Sequence, residues 1–361
     1  MRNYTIANSE DCRPMTTEIY ILLVVVIAAA LLFALTNGLH DASSVVATFI
    51  ACGAATPSQA VGLAAAFGFS GAMLGGSSVA NTFTNIVSIS MHNSMLVILL
   101  AAVLAAVAWN LITWYFGIPS SSTHALVGGI IGAVWASSGF HQVLWGWSQL
   151  FGTQHELTGM MRIFAALLIS PPLGFILAYL LQKLLSLALR NAKNTVNRWL
   201  KGLQWVMAAV LAFSFGTNDT QKIMGLITLA LIASGNLQQQ TVPMWARLSC
   251  ALVMFCGTIL GGWSIMRTLG ERIFDIRPIH SLNSQVSSGA AILMATHFGA
   301  PVSTTHVMAS SILGVGAADE HRMVNWNIGK EMVIAWFVTI PSSTIVAALI
   351  YFPVYWLVGK P

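Results

Sequence analysis

Charged residues are almost absent from the first half of the chain, and this absence limits what the chain can fold into. Between Ile19 and His155, a stretch of 137 residues, Asp41 is the one residue of the Asp, Glu, Lys and Arg types. The sequence of 361 residues is 56% hydrophobic and 7% charged, whereas soluble proteins contain about 25% charged residues. Such a chain lacks the polar side chains that a water-exposed surface needs. We therefore predict an all-α polytopic membrane protein.

Clusters of basic residues indicate how the chain is divided. Five of them fall between residues 183 and 202 with no acidic residue among them, and cytoplasmic loops of membrane proteins carry such an excess of Lys and Arg. We predict an N-terminal tail at 1–18, a first membrane repeat at 19–182, a basic cytoplasmic linker at 183–202 and a second membrane repeat at 203–357. The five basic residues are Lys183, Arg190, Lys193, Arg198 and Lys201.

A second basic loop follows later in the chain and contains Arg267, Arg272 and Arg277. If residues 203–235 and 246–266 make two consecutive crossings, this loop returns to the side of the linker. Both basic segments are then cytoplasmic, as the positive-inside rule requires.

Two motifs recur in the two membrane regions. Residues 118–132 read IPSSSTHALVGGIIG and residues 300–314 read APVSTTHVMASSILG, an offset of 182 residues. The segment NGLHD, which ends at Asp41, corresponds to GTND, which ends at Asp219, with an offset of 178 residues. Duplicated halves whose matching segments contain Gly, Pro and polar residues are typical of transporters that bind their substrate between the repeats.

The Pro-Ser/Thr motifs have the composition of helix starts. Pro119 and Pro301 suit the first helical turn, the hydroxyl residues after them suit helix caps, and the first backbone N–H groups of a helix lack partners within that helix. In a membrane such groups must be buried in protein or line a cavity. Two such helix starts, entering from opposite membrane directions, would surround a small anion near the midplane. The predicted anion-binding hydroxyls are those of Ser121, Ser122, Thr123, Ser303, Thr304 and Thr305.

The segments around Asp41 and Asp219 contain turn-forming residues, which predicts that each interrupts an apolar helix. Unwound backbone would expose carbonyl groups, and carboxylate and amide oxygens suit Na⁺, while a carboxylate also accepts a proton. We predict coupling-cation sites at Asn37, Asp41, Asn218 and Asp219. Lys222, one turn beyond Asp219, is expected either to pair with that carboxylate or to reach the anion.

The segments NGLHDASSVVAT, WNLITWYFGIPSSSTH, FGTNDTQKIMGL and GAPVSTTHVMASSILG resemble the duplicated signatures of the Pit inorganic phosphate transporter family, over residues 19–357. The resemblance implies two inverted-topology repeats with interrupted helices, location in the cytoplasmic (inner) membrane, and uptake of inorganic phosphate driven by H⁺ or Na⁺, in some members as a metal-phosphate complex. Matching motif positions assigns Gln221 and Lys222 to the phosphate site together with the hydroxyl residues. It implies a transporter that is not an enzyme and needs no cofactor beyond its coupling ion.

Two features of the sequence depart from that family's pattern. Ser44 stands where the first motif usually has Asn, which removes an amide ligand and predicts a change in cation choice or affinity. The long hydrophilic insert that is common between the halves is reduced to the short basic segment, so we do not expect regulation through such an insert.

Three histidines lie inside the motifs, namely His40, His124 and His306. A buried neutral imidazole capped by hydrogen bonds is the common arrangement, and proton relay is the functional alternative because His titrates near physiological pH. The sequence leaves open the choice between H⁺ and Na⁺, between free and metal-bound phosphate, whether the protein forms a homo-oligomer, and how many segments cross completely. It gives no indication of nucleic-acid binding.

Other functions are compatible with parts of the pattern. A site made of hydroxyl and N–H donors would also accept sulfate or another tetrahedral oxyanion. The segment Gly68-Phe69-Ser70-Gly71 has the GxSG form, which makes an intramembrane serine protease with Ser70 as its nucleophile a remote alternative. A channel would have the same composition as a transporter, and transport against a gradient distinguishes the two.

Overall fold

The computed structural model describes residues 17–86, 92–151, 156–193, 195–261 and 263–358, and all regular secondary structure in these ranges is helical. Residues 1–16 of the predicted N-terminal tail lie outside the described residues. The first half contains α1 (Thr17–Ala51), α2 (Pro57–Leu74), α3 (Ser78–Thr84), α4 (His92–Phe116), α5 (Ser122–Ser138), α6 (Trp147–Leu150) and α7 (Gly159–Ala188). The second half contains α8 (Val196–Ala233), α9 (Met244–Leu260), α10 (Trp263–Glu271), α11 (Pro278–His297), α12 (Thr304–Glu320) and α13 (Trp326–Val358).

The helices have the lengths and hydropathy of membrane spans. Among the described residues, five helices are long and apolar enough to cross a bilayer, namely α1, α4, α7, α8 and α13. The pairs α2–α3 and α9–α10 raise the number to seven if each bent pair counts as one span. The chain is therefore a multi-pass membrane protein, and the predicted all-α class is confirmed.

The two halves contain equivalent elements in the same order, and they interlock. The Asp-bearing helices are α1 and α8, and each half continues with a bent pair, a helical hairpin and a long final helix. Helix α5 packs along α13 and α12 packs along α7, while α2 packs on α8 and α9 packs on α1. Each half thus covers apolar faces of the other. That the repeats have opposite orientations in the membrane stays a prediction.

The predicted helix interruptions at the two aspartates are wrong. Asp41 lies inside α1, a continuous helix of 35 residues, and Asp219 lies inside α8, which has 38 residues. The polar residues are compatible with the helix because their hydroxyls donate to carbonyls one turn earlier, as Ser43 does to His40 (2.6 Å) and Thr217 to Ser214 (2.7 Å). Such bonds within one helix satisfy the side chain without unwinding the backbone.

The glycines of these segments serve helix packing. A Cβ atom at Gly38 of α1 would meet the backbone of Met254 and Gly257 on α9, and one at Gly216 of α8 would meet the backbone of Gly68 on α2. Residues without a side chain allow two helix backbones to approach closely, as they commonly do in membranes. The sequence signal that predicted a break therefore marks a helix contact.

The chain changes direction elsewhere. Helices α2 and α3 meet at an angle of 68°. The hairpins α4–α5 and α11–α12 each turn through a glycine in the left-handed region, Gly117 and Gly299, both with φ +65°. The left-handed conformation suits glycine because a Cβ atom would be strained there. These turns place the two Pro-Ser/Thr segments at the tips of the hairpins.

The basic linker and the second basic loop lie on one face of the molecule. The Lys201 ammonium donates to the Gly53 carbonyl (3.0 Å), and the Gln204 amide donates to the Pro278 carbonyl (3.0 Å), next to Arg277. Arg277 in turn pairs with Glu320 (3.0 Å) at the end of α12. The two basic segments that the sequence assigns to the cytoplasm are therefore neighbours in the fold.

Candidate functional site

The two hairpin tips form matching helix starts, as the sequence predicts. Helix α5 begins after Ser121, whose hydroxyl accepts a hydrogen bond from the His124 backbone N–H (3.1 Å). Helix α12 begins after Ser303, whose hydroxyl accepts one from the His306 backbone N–H (3.3 Å). In each case the cap satisfies one of the N–H groups that a helix start leaves without a partner. Both starts are buried.

Asp41 joins the two hairpins. Its carboxylate is 2% exposed and accepts a hydrogen bond from the hydroxyl of Ser122, in the first hairpin. The other carboxylate oxygen accepts one from Thr305, in the second hairpin, at 2.8 Å. One acid thus binds hydroxyls from both repeats, so a change in its charge acts on both hairpins.

Asp219 is bound in a related way, with an added cation. Thr304 donates to one carboxylate oxygen (2.8 Å), and the Lys222 ammonium donates to the other (2.5 Å). The same ammonium donates to the Thr123 hydroxyl (2.5 Å) and to the Val302 carbonyl (2.7 Å). Lys222 therefore does pair with Asp219, and it also reaches both hairpin tips.

The repeat offsets show which of these contacts are equivalent. The pairs Asp41 with Ser122 and Asp219 with Thr304 correspond, and both are direct hydrogen bonds. Thr305 bonds Asp41 directly, but its counterpart Thr123 is bridged to Asp219 by Lys222. The acid–hydroxyl contacts are thus symmetric except at this position.

His40 and Asn218 occupy equivalent positions and each anchors one hairpin. His40 Nδ1 lies 2.7 Å from an Asp41 carboxylate oxygen, and Nε2 lies 3.2 Å from the Thr113 hydroxyl and 3.3 Å from the Ser120 hydroxyl. These two hydroxyls belong to α4 and to the turn before α5.

Asn218 makes the corresponding contacts with the second hairpin. It donates to the Thr296 hydroxyl (2.8 Å) and to the Ala300 carbonyl (3.2 Å), and it accepts from the Val302 N–H (3.2 Å). The residues beside the acids therefore fix the position of the hairpin tips.

His124 and His306 meet where the hairpins touch. Their ring centroids are 4.6 Å apart, and His306 stacks on Trp336 at 4.0 Å. In the described part of the chain, His124 Nδ1 and His306 Nε2 are buried without a hydrogen-bond partner. Two imidazoles that face each other with free ring nitrogens are consistent with either a packed pair or a proton relay.

Gln221 and Asn37, the remaining residues of the predicted site, do not contact the two hairpin tips through a hydrogen bond among the described residues. The Gln221 amide donates to the Gly75 carbonyl (2.7 Å) and accepts from the Val79 N–H (2.9 Å), which bridges the bend between α2 and α3. Asn37 is buried, and its side-chain oxygen has no hydrogen-bond partner among the described residues. Gln221 thus holds a helix break in this conformation, while Asn37 has an acceptor free.

Several residues of the site were missed by sequence reasoning. Thr113 and Thr296 hold the anchoring side chains of His40 and Asn218, and the carbonyl of Val302 binds Lys222. Thr113 stands just before the Pro-Ser motif in WNLITWYFGIPSSSTH, so its nearness to the turn was a usable signal. A backbone carbonyl has no sequence signal.

The buried face of α11 is polar, whereas the equivalent helix α4 is aliphatic. Residues 280–288 of α11 bury a run of hydroxyl and amide side chains, and Gln285 Oε1 has no hydrogen-bond partner in the described structure. The core of α4 near its start contains Met95, Leu96, Ile98 and Leu99. The second hairpin is thus the more hydrophilic of the two.

The cluster of buried charged side chains at the hairpin tips has more negative than positive charges. Among the described residues, the side chains of Asp41, Asp219 and Lys222 are buried together, so this cluster carries a formal charge of −1 when both acids are ionised and the histidines are neutral. A buried uncompensated charge is costly, and an added anion would increase the repulsion. The centre is therefore suited to bind a cation or a proton before it binds an anion.

Comparisons with known proteins agree with this architecture. The model of the family described as "PHO4: Phosphate transporter family" matches residues 37–200 and 188–347. A Bacillus subtilis protein described as a probable low-affinity inorganic phosphate transporter is 40% identical over 335 residues, 92% of this chain and 97% of that protein. A Rhizobium meliloti protein of the same description is 37% identical and covers 92% of this chain and 96% of its own length.

A solved structure has the same fold. It is titled "The sodium-dependent phosphate transporter", and it aligns with a TM-score of 0.82 over 92% of this chain and 98% of that chain. The sequence identity is 24%, so this likeness establishes the fold alone. One family model that matches the chain twice is consistent with the internal duplication.

The serine protease alternative is wrong. The relatives are transporters, and the Ser70 hydroxyl donates to the Ala66 carbonyl (2.9 Å) within α2. A serine nucleophile needs a base within hydrogen-bond reach, and this hydroxyl is used by its own helix.

Proposed function

The chain belongs to the PHO4 phosphate transporter family, and from this premise we propose that it is a secondary active symporter that takes up inorganic phosphate together with H⁺ or Na⁺. The observation that supports coupling is the bonding of both buried acids, Asp41 and Asp219, to hydroxyls of the two hairpin tips. The relatives described as low-affinity inorganic phosphate transporters support the choice of substrate.

The coupling follows from competition for hydroxyl protons. The O–H groups of Ser122, Thr304 and Thr305 are all directed at carboxylates. A hydroxyl has one proton to donate and two lone pairs that accept. When a cation or proton neutralises the acid, the hydroxyl oxygens can face the cation and their protons can turn toward phosphate. Binding of the cation thereby creates the anion site.

The helix starts supply the remaining donors. The first backbone N–H groups of α5 and α12, with the positive ends of the two helix dipoles, favour an anion between the tips. Lys222 adds a formal positive charge in contact with both tips. In the proposal, phosphate binds between Ser121–Thr123 and Ser303–Thr305, and the two interlocked halves rock around it in alternating access.

Both coupling ions fit the residues present. Carboxylate, hydroxyl and carbonyl oxygens are hard ligands that suit Na⁺, and His40 beside Asp41 suits a proton. The related fold is titled a sodium-dependent transporter. We further propose that the protein resides in the cytoplasmic membrane, with the face that carries Lys201 and Arg277 toward the cytoplasm.

The test is uptake of radiolabelled phosphate into proteoliposomes in which pH, Na⁺ and Mg²⁺ gradients are varied independently. We expect accumulation above the external concentration when the coupling ion has an inward gradient, and its collapse when an ionophore removes that gradient. Enhancement by Mg²⁺ would indicate a metal-phosphate complex as the transported species. Liposomes without protein are the control.

Two results would contradict the proposal. Equilibration of phosphate without accumulation under every gradient would indicate a channel. Equal inhibition of uptake by sulfate and by unlabelled phosphate would indicate a general site for tetrahedral oxyanions.

A further inference from the structure

The surroundings of the Lys222 ammonium match those of a bound monovalent cation. The side chain is 2% exposed. Its Nζ atom lies 2.5 Å from an Asp219 carboxylate oxygen, 2.5 Å from the Thr123 hydroxyl and 2.7 Å from the Val302 carbonyl. These oxygens come from α8, from the start of α5 and from the turn before α12. Transporters use this mixture of carboxylate, hydroxyl and irregular-backbone carbonyl oxygens to bind Na⁺.

The other repeat has corresponding residues without the lysine. By the repeat offsets, the counterparts of Asp219, Thr123 and the Val302 carbonyl are Asp41, Thr305 and the Ser120 carbonyl. The counterpart of Lys222 is Ser44. Its short side chain donates a hydrogen bond to the backbone carbonyl of Asp41, one helical turn earlier (2.7 Å). No ammonium is therefore supplied at this position, and Thr305 donates directly to the Asp41 carboxylate.

We propose that Lys222 is a tethered cation that permanently fills one of two pseudo-symmetric cation positions. The exchangeable Na⁺ or H⁺ then binds at the other position alone, at Asp41 with Thr305, where the repeat correspondence adds the Ser120 carbonyl. This inference rests on the proposed cation-coupled transport and deepens it, because it specifies how many exchangeable cations the pair of acids binds.

The charges support this assignment. A buried carboxylate needs a positive partner, and Asp219 has one in every transport cycle because Lys222 cannot leave. Among the described residues, Asp41 has hydroxyls and the His40 imidazole as partners, so the positive charge that neutralises it, a cation or a proton, is taken up from solution. One acid is thus compensated by the chain and one by the coupling ion.

The variant Lys222→Ser tests the proposal because it gives both repeats the same residue at this position. Phosphate uptake into proteoliposomes is measured against Na⁺ concentration at several fixed pH values. In the wild type we expect a dependence on the coupling cation with a Hill coefficient of about 1, since one site is exchangeable. In Lys222→Ser we expect a coefficient of about 2, with uptake at low cation reduced about tenfold or more and recovering as the cation rises.

Two further variants serve as controls. Lys201→Ser removes a lysine that binds the Gly53 carbonyl at the surface, and it should keep the wild-type cation dependence. Asp219→Asn with Lys222→Ser removes both charges of the pair, so it should again show a coefficient of about 1. If Lys222→Ser alone fails to fold, which size-exclusion chromatography in detergent would reveal, the wild-type Hill coefficient decides, with a value of about 1 supporting one exchangeable site and a value of about 2 overturning the inference.

The outcomes separate this inference from the proposed function. If the wild type does not accumulate phosphate at all, the proposed function fails. If the wild type accumulates phosphate but its uptake depends on the coupling cation with a Hill coefficient near 2, the tethered-cation inference alone is overturned. The inference is also overturned if folded Lys222→Ser keeps the wild-type cation dependence. It is overturned as well if the folded variant is inactive at every cation concentration, because Lys222 would then act on phosphate directly.

Discussion

The carboxylate of Asp41 accepts a hydrogen bond from the hydroxyl of Thr305 at 2.8 Å, although the two residues are 264 positions apart in the chain. Asp41 belongs to the first repeat and Thr305 to the second, so this contact couples the charge of one repeat to the hairpin of the other. Both side chains are buried, where a hydrogen bond to a charged group is stronger than at the surface.

Loss of this contact should weaken coupling. Thr305→Val keeps the side-chain shape and removes the hydroxyl, at an expected loss of about 1.5 to 3 kcal/mol for a bond to a charged group. We expect phosphate uptake at limiting coupling cation to fall about tenfold or more. Thr228→Val is the matched control, because the Thr228 hydroxyl donates to the Met224 carbonyl of its own helix (2.8 Å) and to no other group in the described part of the chain. Equal uptake in the two variants would contradict the coupling role.

Asp41 itself should be required for accumulation. Asp41→Asn keeps the size of the side chain but removes the charge that the coupling cation neutralises, so concentrative phosphate uptake should be lost. The protein should remain folded in detergent, because the buried charge it removes is costly. Glu331→Gln changes an exposed acid on α13 and should transport normally. Wild-type accumulation by Asp41→Asn would exclude Asp41 as the cation site.

His40 can be tested by using the residue of the other repeat. Asn218 anchors the second hairpin as His40 anchors the first, so His40→Asn should retain most of the uptake. His40→Leu leaves the Thr113 and Ser120 hydroxyls and Asp41 without this partner and should lower stability by about 1 to 3 kcal/mol. Thermal denaturation and uptake would be measured for both. A folded His40→Asn protein that has lost all proton-driven uptake would instead support proton relay.

Close packing of α8 on α2 predicts a difference between two glycines of the same helix. Gly216→Ala places a methyl group against the backbone of Gly68 and should destabilise the protein by about 1 to 3 kcal/mol. Gly202→Ala meets nothing within 4 Å and should be neutral or stabilise by up to about 1 kcal/mol through helix propensity. The comparison uses melting temperatures in detergent. An unchanged melting temperature of Gly216→Ala would show that α8 and α2 can move apart without loss of stability.

Gln221 offers a test between a structural and a binding role. Gln221→Leu removes the hydrogen bonds to Gly75 and Val79 at the bend between α2 and α3. We expect lower thermal stability, by about 1 to 3 kcal/mol, with an unchanged KM for phosphate in the remaining active protein. A raised KM at normal stability would support the role in phosphate binding that the family resemblance assigns.

Some of the site could be predicted from local sequence signals. The helix starts at Ser122 and Thr304 follow Pro and Ser residues that fix the backbone and cap the helix. The incorrect prediction of helix interruptions at Asp41 and Asp219 also comes from local signals. Gly38 and Gly216 look like helix breakers, but they lie where another helix backbone passes, and the sequence alone does not distinguish these two uses of glycine.

The sequence by itself determined that the chain lies in a membrane and that its motifs are duplicated, and it predicted that two acids and two capped helix starts form its chemical centre. Each of these depends on residues close together in the chain or on composition. Only the tertiary structure decided that Asp41 bonds across to Thr305 and that Lys222 stands between Asp219 and Thr123. Such partners depend on how whole helices pack over hundreds of residues, because a carboxylate bonds whichever donor the packing brings within about 3 Å.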